Sequence, residues 1–403
     1  MIRFYLFLAS IFFAHPLLAQ LSIQGKIINA DDRSPIAGAS IYINNSSLGT
    51  SSNKEGLFTL HSPNRNVELV VSNMGFEKRV LEIQLPLQHE LVIAIKEKST
   101  AIEEVVVTNY LKDGWKEWGD FFIENLIGQG DFAEECKILN HEVVKFRFDK
   151  KANVLTAICT EPLKIRNDAL GYELTYDLGG FRMDFASRMF LFEGYAFFKD
   201  IGKGRSKYKK NRNVSYLLSL NRFVRSTYNK QWEQDGYIVR KLVKEDNAVR
   251  LEARQKYNAI LDSVQKKYRG NWNLFYVSQK DYTEDKVNTI RKQMTQPEKI
   301  SYLMGIMQPN EIIAAEDKEK GLMKLNYTDY LYIIYPADFS KSKNKILQKA
   351  ASEVSELSIV ETDGIIIEPQ GSYFPTANWI LSGYAVGYSK LAYMLPLDYV
   401  PSD

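Results

Sequence analysis

The chain is short of the residues that most often carry chemistry. It has two cysteines and four histidines in 403 residues. One histidine, His15, falls in the N-terminal apolar stretch, which leaves His61, His89 and His141. "HEVVK", His141 to Lys145, begins like a zinc-binding H-E-x-x-H but puts lysine where the second histidine belongs. A zinc site needs at least three protein ligands at compatible spacing, so no metal centre is expected. Charge of one sign is lacking too: 52 basic residues stand against 49 acidic ones. That balance gives no general attraction to nucleic acid. Nucleotide signatures are limited to two lone G-x-G pairs, Gly128–Gly130 and Gly202–Gly204, without strand–helix context, and no cofactor is expected. Ser389 in "GYSKL" lacks the second glycine of a nucleophile elbow.

Long apolar runs are missing as well, apart from the opening "MIRFYLFLASIFFAHPLLAQ". Arg3 followed by Phe4 to Phe13 and then Ala19 is the pattern of a secretory leader, too short for a membrane helix. Residues 1–20 therefore read as a signal peptide. The mature chain would be exported, with no transmembrane segment, to the periplasm or the outer-membrane surface. In that oxidising compartment Cys136 and Cys159, which flank two expected strands, could bridge. The alternative is a pair of buried free thiols.

What is present is β-structure. From Leu21 to Lys96, short alternating segments are punctuated by turns every eight to twelve residues, the mark of an antiparallel sandwich. "LFTLHS", "VELVVSNMGF", "KRVLEIQL" and "ELVIAIK" complete about seven strands. Residues 21–98 form this unit, and 120–403 read as a larger α+β domain, with a division near 236 open. Strands are expected at "HEVVKFRFD", "VLTAICT", "LKIRN", "YELTYDL", "FRMDFA" and "MFLFEGYAFF". "DLGGFR" at Asp177 to Arg182 and Asp363-Gly364 carry hairpin signals. Helical periodicity marks Lys207–Gln234 and Glu245–Tyr268, and the tail from Ala377 reads as a last helix stopped by Pro396.

"GKIINADDRSPIAGASIYINNSSLGTSSNKEGLFTL" followed by "LVVSNMGFEKRVLEI" resembles the carboxypeptidase-regulatory-like domain. The resemblance implies a transthyretin-like sandwich, common in exported proteins of Bacteroidetes-type bacteria, and a folding or attachment role rather than catalysis. The segment after it, "EEVVVTNY", is similar to the TonB-box region of starch-utilisation outer-membrane transporters. On that likeness Glu103, Glu104, Val105, Val106, Val107 and Thr108 would be a docking strand for a TonB-type partner, inside a linker spanning 99–119. A transporter barrel needs more than twenty strands of roughly nine to eleven residues, and only about 290 residues follow Tyr110. A transporter is excluded, and the stretch is more simply the end of the sandwich module. The rest of the chain resembles bacterial proteins that carry this sandwich ahead of a C-terminal domain of unknown activity.

Three surfaces remain as candidates. Lys203, Arg205, Lys207, Lys209, Lys210 and Arg212 form a basic run able to meet phosphate, acidic polysaccharide or anionic lipid. Seven aromatics from Tyr373 to Tyr399 could stack on sugar or pack the core. The carboxylates Asp329 with Asp338, or Glu361 with Asp363, could serve a hydrolase. The reading is an exported, non-enzymatic envelope protein whose sandwich presents a domain binding a protein or glycan partner. A glycan or peptide hydrolase and a TonB-linked accessory are the alternatives.

Overall fold

The computed structural model describes residues 21–98 and 110–401; the leader and the stretch from Glu103 to Thr108 lie outside them. Seven strands make the N-terminal sandwich: β1 (Leu21–Asn29), β2 (Ser40–Ile43), β3 (Gly49–Ser51), β4 (Leu57–Ser62), β5 (Asn66–Ser72), β6 (Arg79–Gln84) and β7 (Leu91–Ile95). One sheet runs β4-β1-β7 and the other β3-β2-β5-β6. Alternation decides the facing. In β4, Phe58, Leu60 and Ser62 are buried while Leu57, Thr59 and His61 face water. Ile23, Ile27, Ile41, Leu69, Val71 and Ile93 fill the space between the sheets.

The second region opens with α1 (Gly114–Leu126), which starts within the stretch expected to be linker, and α2 (Asp131–Glu134). Phe122 and Leu126, four apart on α1, are fully buried. The Phe122 ring meets Phe181 at 4.8 Å and Phe146 edge-on at 5.6 Å. A six-stranded antiparallel sheet lies beneath: β8 (Cys136–Ile138), β9 (Val144–Asp149), β10 (Val154–Cys159), β11 (Leu163–Asn167), β12 (Tyr172–Asp184) and β13 (Met189–Asp200). The 13-residue β12 is its spine. β13 pairs along its length, while β11 and β10 share β12 at opposite ends.

That register corrects one expectation and decides between two alternatives. Asp177 to Arg182 is not a hairpin turn: the register shifts between Leu178 and Gly180, so the Gly-Gly pair makes a bulge inside a continuous strand. Nor are Cys136 and Cys159 bridged; both are free. Cys136 sits beside Asn167, level with Tyr172, and Cys159 lies just past Ala157, which faces Phe181. About seven residues of β12 separate the two levels, roughly 20 Å, against the ~7 Å limit for bridged Cα atoms. Burial pushes both thiols up to about 12. Thiol titration will therefore return both cysteines as free once the chain is denatured and almost none beforehand; a titre near zero in denaturant would contradict this.

Two helices follow, α3 (Ser206–Leu218) and α4 (Leu220–Tyr228), where a single one was expected. The break is Ser219, whose Oγ accepts from the Arg222 amide and caps α4. Next come β14 (Ile238–Asp246), α5 (Ala248–Tyr268), α6 (Trp272–Ser278), α7 (Glu284–Met294) and β15 (Lys299–Ile306). The three helices are an insertion between paired strands, with a small core of their own around Ile260, Val264, Phe275 and Val287. The chain ends with β16 (Ile313–Asp317), β17 (Leu322–Leu325), β18 (Tyr330–Ile334), α8 (Lys345–Ala350), β19 (Val354–Ile359), β20 (Ile365–Ile367), β21 (Tyr373–Phe374), β22 (Trp379–Gly383) and α9 (Ala385–Tyr388). They form sheets β15-β14-β18-β19-β22 and β16-β17-β20-β21.

Asp363-Gly364 therefore joins two different sheets and closes no hairpin. Gly364 is obligatory there, at φ +75° with its missing Cβ position 2.2 Å from the Leu325 carbonyl oxygen. The expected last helix is not continuous: Trp379–Gly383 is a strand paired with β19, Ala385–Tyr388 is a single helical turn, and the residues beyond are turns and irregular chain. One apolar core holds side chains on both sides of residue 236, from Phe122 to Leu395.

The sandwich is joined to this region by the turn between β2 and β3. Asn44 Oδ1 accepts from the Ala196 amide at 2.9 Å, and the Asn45 amide donates to the Ala196 carbonyl at 2.8 Å. Ser46 bridges to Phe197 in β13. On the other side, the Leu397 amide donates to the Asn45 carbonyl at 2.7 Å, and Asp398 accepts from the Ser47 amide and hydroxyl. A Lys78–Asp177 ion pair of 3.0 Å adds to the contact.

Candidate functional site

A cleft of about 390 Å³ lies between α2, α3 and the start of α8. Asp131, Phe132 and Glu135 form one wall, Lys207 and Asn211 the second, and Lys343, Asn344, Lys345 and Ile346 the third. Each wall has a local reason for its place. Phe132 stacks on Tyr393 with ring centroids 5.0 Å apart. Asn211 Nδ2 donates to the Ala169 carbonyl at 2.8 Å and holds α3 against the sheet. Asn344 caps α8, its Oδ1 accepting from the amides of Ile346 and Leu347. Behind the third wall, the Tyr384 hydroxyl donates to the Ile346 carbonyl at 3.2 Å and meets the Tyr388 hydroxyl at 2.7 Å.

The electrostatics of the cleft turn on which charges are already matched. Lys207 is paired with Glu135, and that hydrogen bond raises the lysine above its ordinary value. Among the described residues, Lys343 and Lys345 have no acidic partner within ion-pair distance, although Asp131 stands on the facing wall. Two unmatched ammonium groups on one lip suit an anionic group better than a cation or an apolar ligand.

The basic run is divided. Lys203, Arg205, Lys207, Lys209 and Lys210 cluster, exposed, at the start of α3 beside this cleft. Arg212 is not available to a polyanion. Its guanidinium lies 3.8 Å over the Tyr172 ring, donates to the carbonyls of Leu170 and Gly171, and forks onto Asp200. That bond holds the Asp200 carboxyl below the usual range.

The other candidates are not assembled. Asp329 and Asp338 stand at opposite ends of β18, roughly 17 Å of strand apart, and pair with Lys241 and Lys341. Glu361 and Asp363 are exposed in the turn after β19. The C-terminal aromatics pack rather than form a platform: Trp379 is buried, donating to the Tyr327 hydroxyl at 2.6 Å, and Tyr373 packs edge-on against it. The residues from Glu103 to Thr108 are outside the described region.

Three groups were given no role from the sequence. Lys343 and Lys345 lie in "SKSKNK", a basic run as plain as the one before α3. Lys390 is only 8% exposed, its ammonium 4.5 Å over the Phe190 ring and 5.1 Å over Phe192, and burial pushes it down to about 8. Glu368 is 4% exposed and burial raises its carboxyl; Ser372 and Gln370 of its own turn bond one oxygen, and the other has no hydrogen-bond partner among the described residues. A charged residue inside an apolar segment was the available signal for both.

The N-terminal strands form a seven-stranded, two-sheet domain, followed by a larger α+β region. Residues 23–107 match the model of the CarboxypepD_reg-like domain family. No curated protein matches the chain. Among solved structures, a protein of unknown function from Bacteroides fragilis is similar at 8% identity, covering 91% of this chain and 98% of its own, with a TM-score of 0.16. A 9R-lipoxygenase from Cyanothece is similar at 7% identity over 56% of this chain and 48% of its own, with a TM-score of 0.14. Similarity at those TM-scores carries no argument about fold or activity. No helix among the described residues is long and apolar enough to cross a membrane.

Proposed function

We propose that the chain is an exported binding protein of the Gram-negative envelope. In this reading the CarboxypepD_reg-like sandwich holds an α+β domain whose cleft engages an acidic glycan. The leader pattern at residues 1–20 supports export, and the sandwich family supports an attachment role. The observation that carries the binding reading is the pair of unmatched ammonium groups, Lys343 and Lys345, at a cleft flanked by the basic start of α3. A hydrolase is less well supported, because Asp329 and Asp338 lie apart, Glu361 and Asp363 are exposed in one turn, and neither pair lines the cleft. TonB-linked docking by Glu103 to Thr108 stays a separate proposal, tested by envelope capture with and without residues 101–110.

The cleft is tested by affinity electrophoresis of the mature protein through gels containing an acidic polysaccharide or neutral dextran. Retardation is expected in the acidic gel alone, weakening with salt. The double variant Lys343→Glu, Lys345→Glu should lose about tenfold in affinity, near 1.4 kcal/mol. Equal retardation of wild type and variant would remove the cleft from consideration. Binding to anionic vesicles but not to the polysaccharide would reassign the ligand to a lipid headgroup.

A further inference from the structure

The six-stranded sheet sets three polar side chains in one row on its outer face. Arg147 in β9 lies opposite Thr156 in β10, and Thr156 lies opposite Arg182 in β12. Directly paired residues share a face of the sheet. The other face carries Phe146, Phe148 and Phe181 against α1. Both arginines are exposed, and a cavity of about 220 Å³ opens between them, with buried Val154 and Asp149 also on its wall. Two strand spacings, about 10 Å, separate the arginine Cα atoms, so both guanidinium forks can close on one small group between them.

The charge of this row is unmatched. Arg166, the third arginine of the sheet, is paired with Asp168 at 2.9 Å, whereas Arg147 and Arg182 have neither an acidic group at ion-pair distance nor a hydrogen-bond acceptor among the described residues. The carboxylates one row away, Asp149 and Asp184, are turned to their own hairpins. Asp149 Oδ1 accepts from the amides of Lys151 and Ala152, and Asp184 Oδ1 from those of Ala186 and Ser187. The Thr156 hydroxyl has only a 3.4 Å contact with the Arg147 carbonyl, too long for a firm bond, so it is free to turn and donate.

We propose that Arg147, Thr156 and Arg182 bind one tetrahedral oxyanion, a phosphate or sulfate ester group. Two planar forks with a hydroxyl between them match its several acceptor oxygens, a geometry that lysines could not supply. Asp149 on the wall repels a second anionic group, so the site takes a single ester rather than a run of charge. It shares no residue with the cleft of Lys343 and Lys345 and does not depend on that reading.

Arginine footprinting of the mature protein tests the site. Phenylglyoxal modification is mapped by mass spectrometry in inorganic phosphate, in inorganic sulfate, and in sodium chloride at the same ionic strength. Near ten times its dissociation constant, phosphate or sulfate should slow modification of both Arg147 and Arg182 about tenfold. Arg254, exposed on α5, should react at an unchanged rate. The phosphate and sulfate arms show which ester is taken. Arg147→Gln should abolish the protection of Arg182, because one fork alone holds the anion weakly; the wild-type arms do not depend on that variant folding. No protection beyond chloride, equal protection of Arg254, or protection of Arg182 that survives Arg147→Gln would each overturn the proposal.

Discussion

Arg225→Ala is expected to lower stability by about 3–5 kcal/mol and to free the C-terminal tail. Arg225 lies on α4, partly buried, and its guanidinium donates to three carbonyls: Gln370 at 2.8 Å, Leu397 at 2.9 Å and Tyr399 at 3.3 Å. It also lies 5.3 Å over the Tyr216 ring. A hydrogen bond with one charged partner contributes about 1.5–3 kcal/mol, and loss of the donor strands the acceptors as well. Leu397 and Asp398, next to these carbonyls, are the residues that hold the sandwich turn. The variant should thus show a lower urea midpoint together with faster proteolysis near residue 397. Lysine cannot reproduce the planar fork, so Arg225→Lys should recover at most one bond. A loss below 1 kcal/mol with an unaltered tail would show that the three carbonyls find other partners.

Lys390→Met is expected to do the opposite, stabilising the protein at pH 7 by about 2 kcal/mol. The lysine stem is buried, and among the described residues the two phenyl rings are the only favourable contacts for its charge, worth about 1–2 kcal/mol against a larger desolvation cost. Methionine keeps the volume and suits the rings. The pH dependence fixes the sign. Below about 8 the amine is protonated folded and unfolded, and its burial cost is fully present. Between about 8 and the ordinary lysine value near 10.4 the unfolded chain binds more protons, so wild-type stability rises with pH. The advantage of methionine should therefore shrink from pH 7 to pH 10 in urea unfolding. A variant less stable than wild type at pH 7 would mean that the ammonium has a partner stronger than the two rings.

The sandwich could be read from sequence because its strands obey the simplest rule, alternation with glycine and asparagine turns. Beyond it, local signals were real but their meaning depended on neighbours. Gly179-Gly180 marked an irregularity, yet only pairing with β13 makes it a bulge inside one strand. "NWILSG" has helix-compatible spacing, yet the open edge of β19 captures it as β22. Ser219 divides a periodic stretch by capping, a competition that periodicity alone does not register. The cleft was half visible. Lys207 was identified with its run, but Lys343 and Lys345, over 130 residues further on, are brought near it only by the fold. Arg212 belonged to the same run and turns inward, because Asp200 and the Tyr172 ring lie on its side of α3.

The turn from Asn44 to Ser47 has a consequence for how the two regions come apart. It is held on one side by β13 and on the other by Leu397 and Asp398. The sandwich and the larger region have separate apolar cores, so this turn couples two cores that share no side chain. Loosening the Leu397–Asp398 side alone leaves the bonds to Ala196 and the Lys78–Asp177 ion pair, so the regions would stay joined while that side opens.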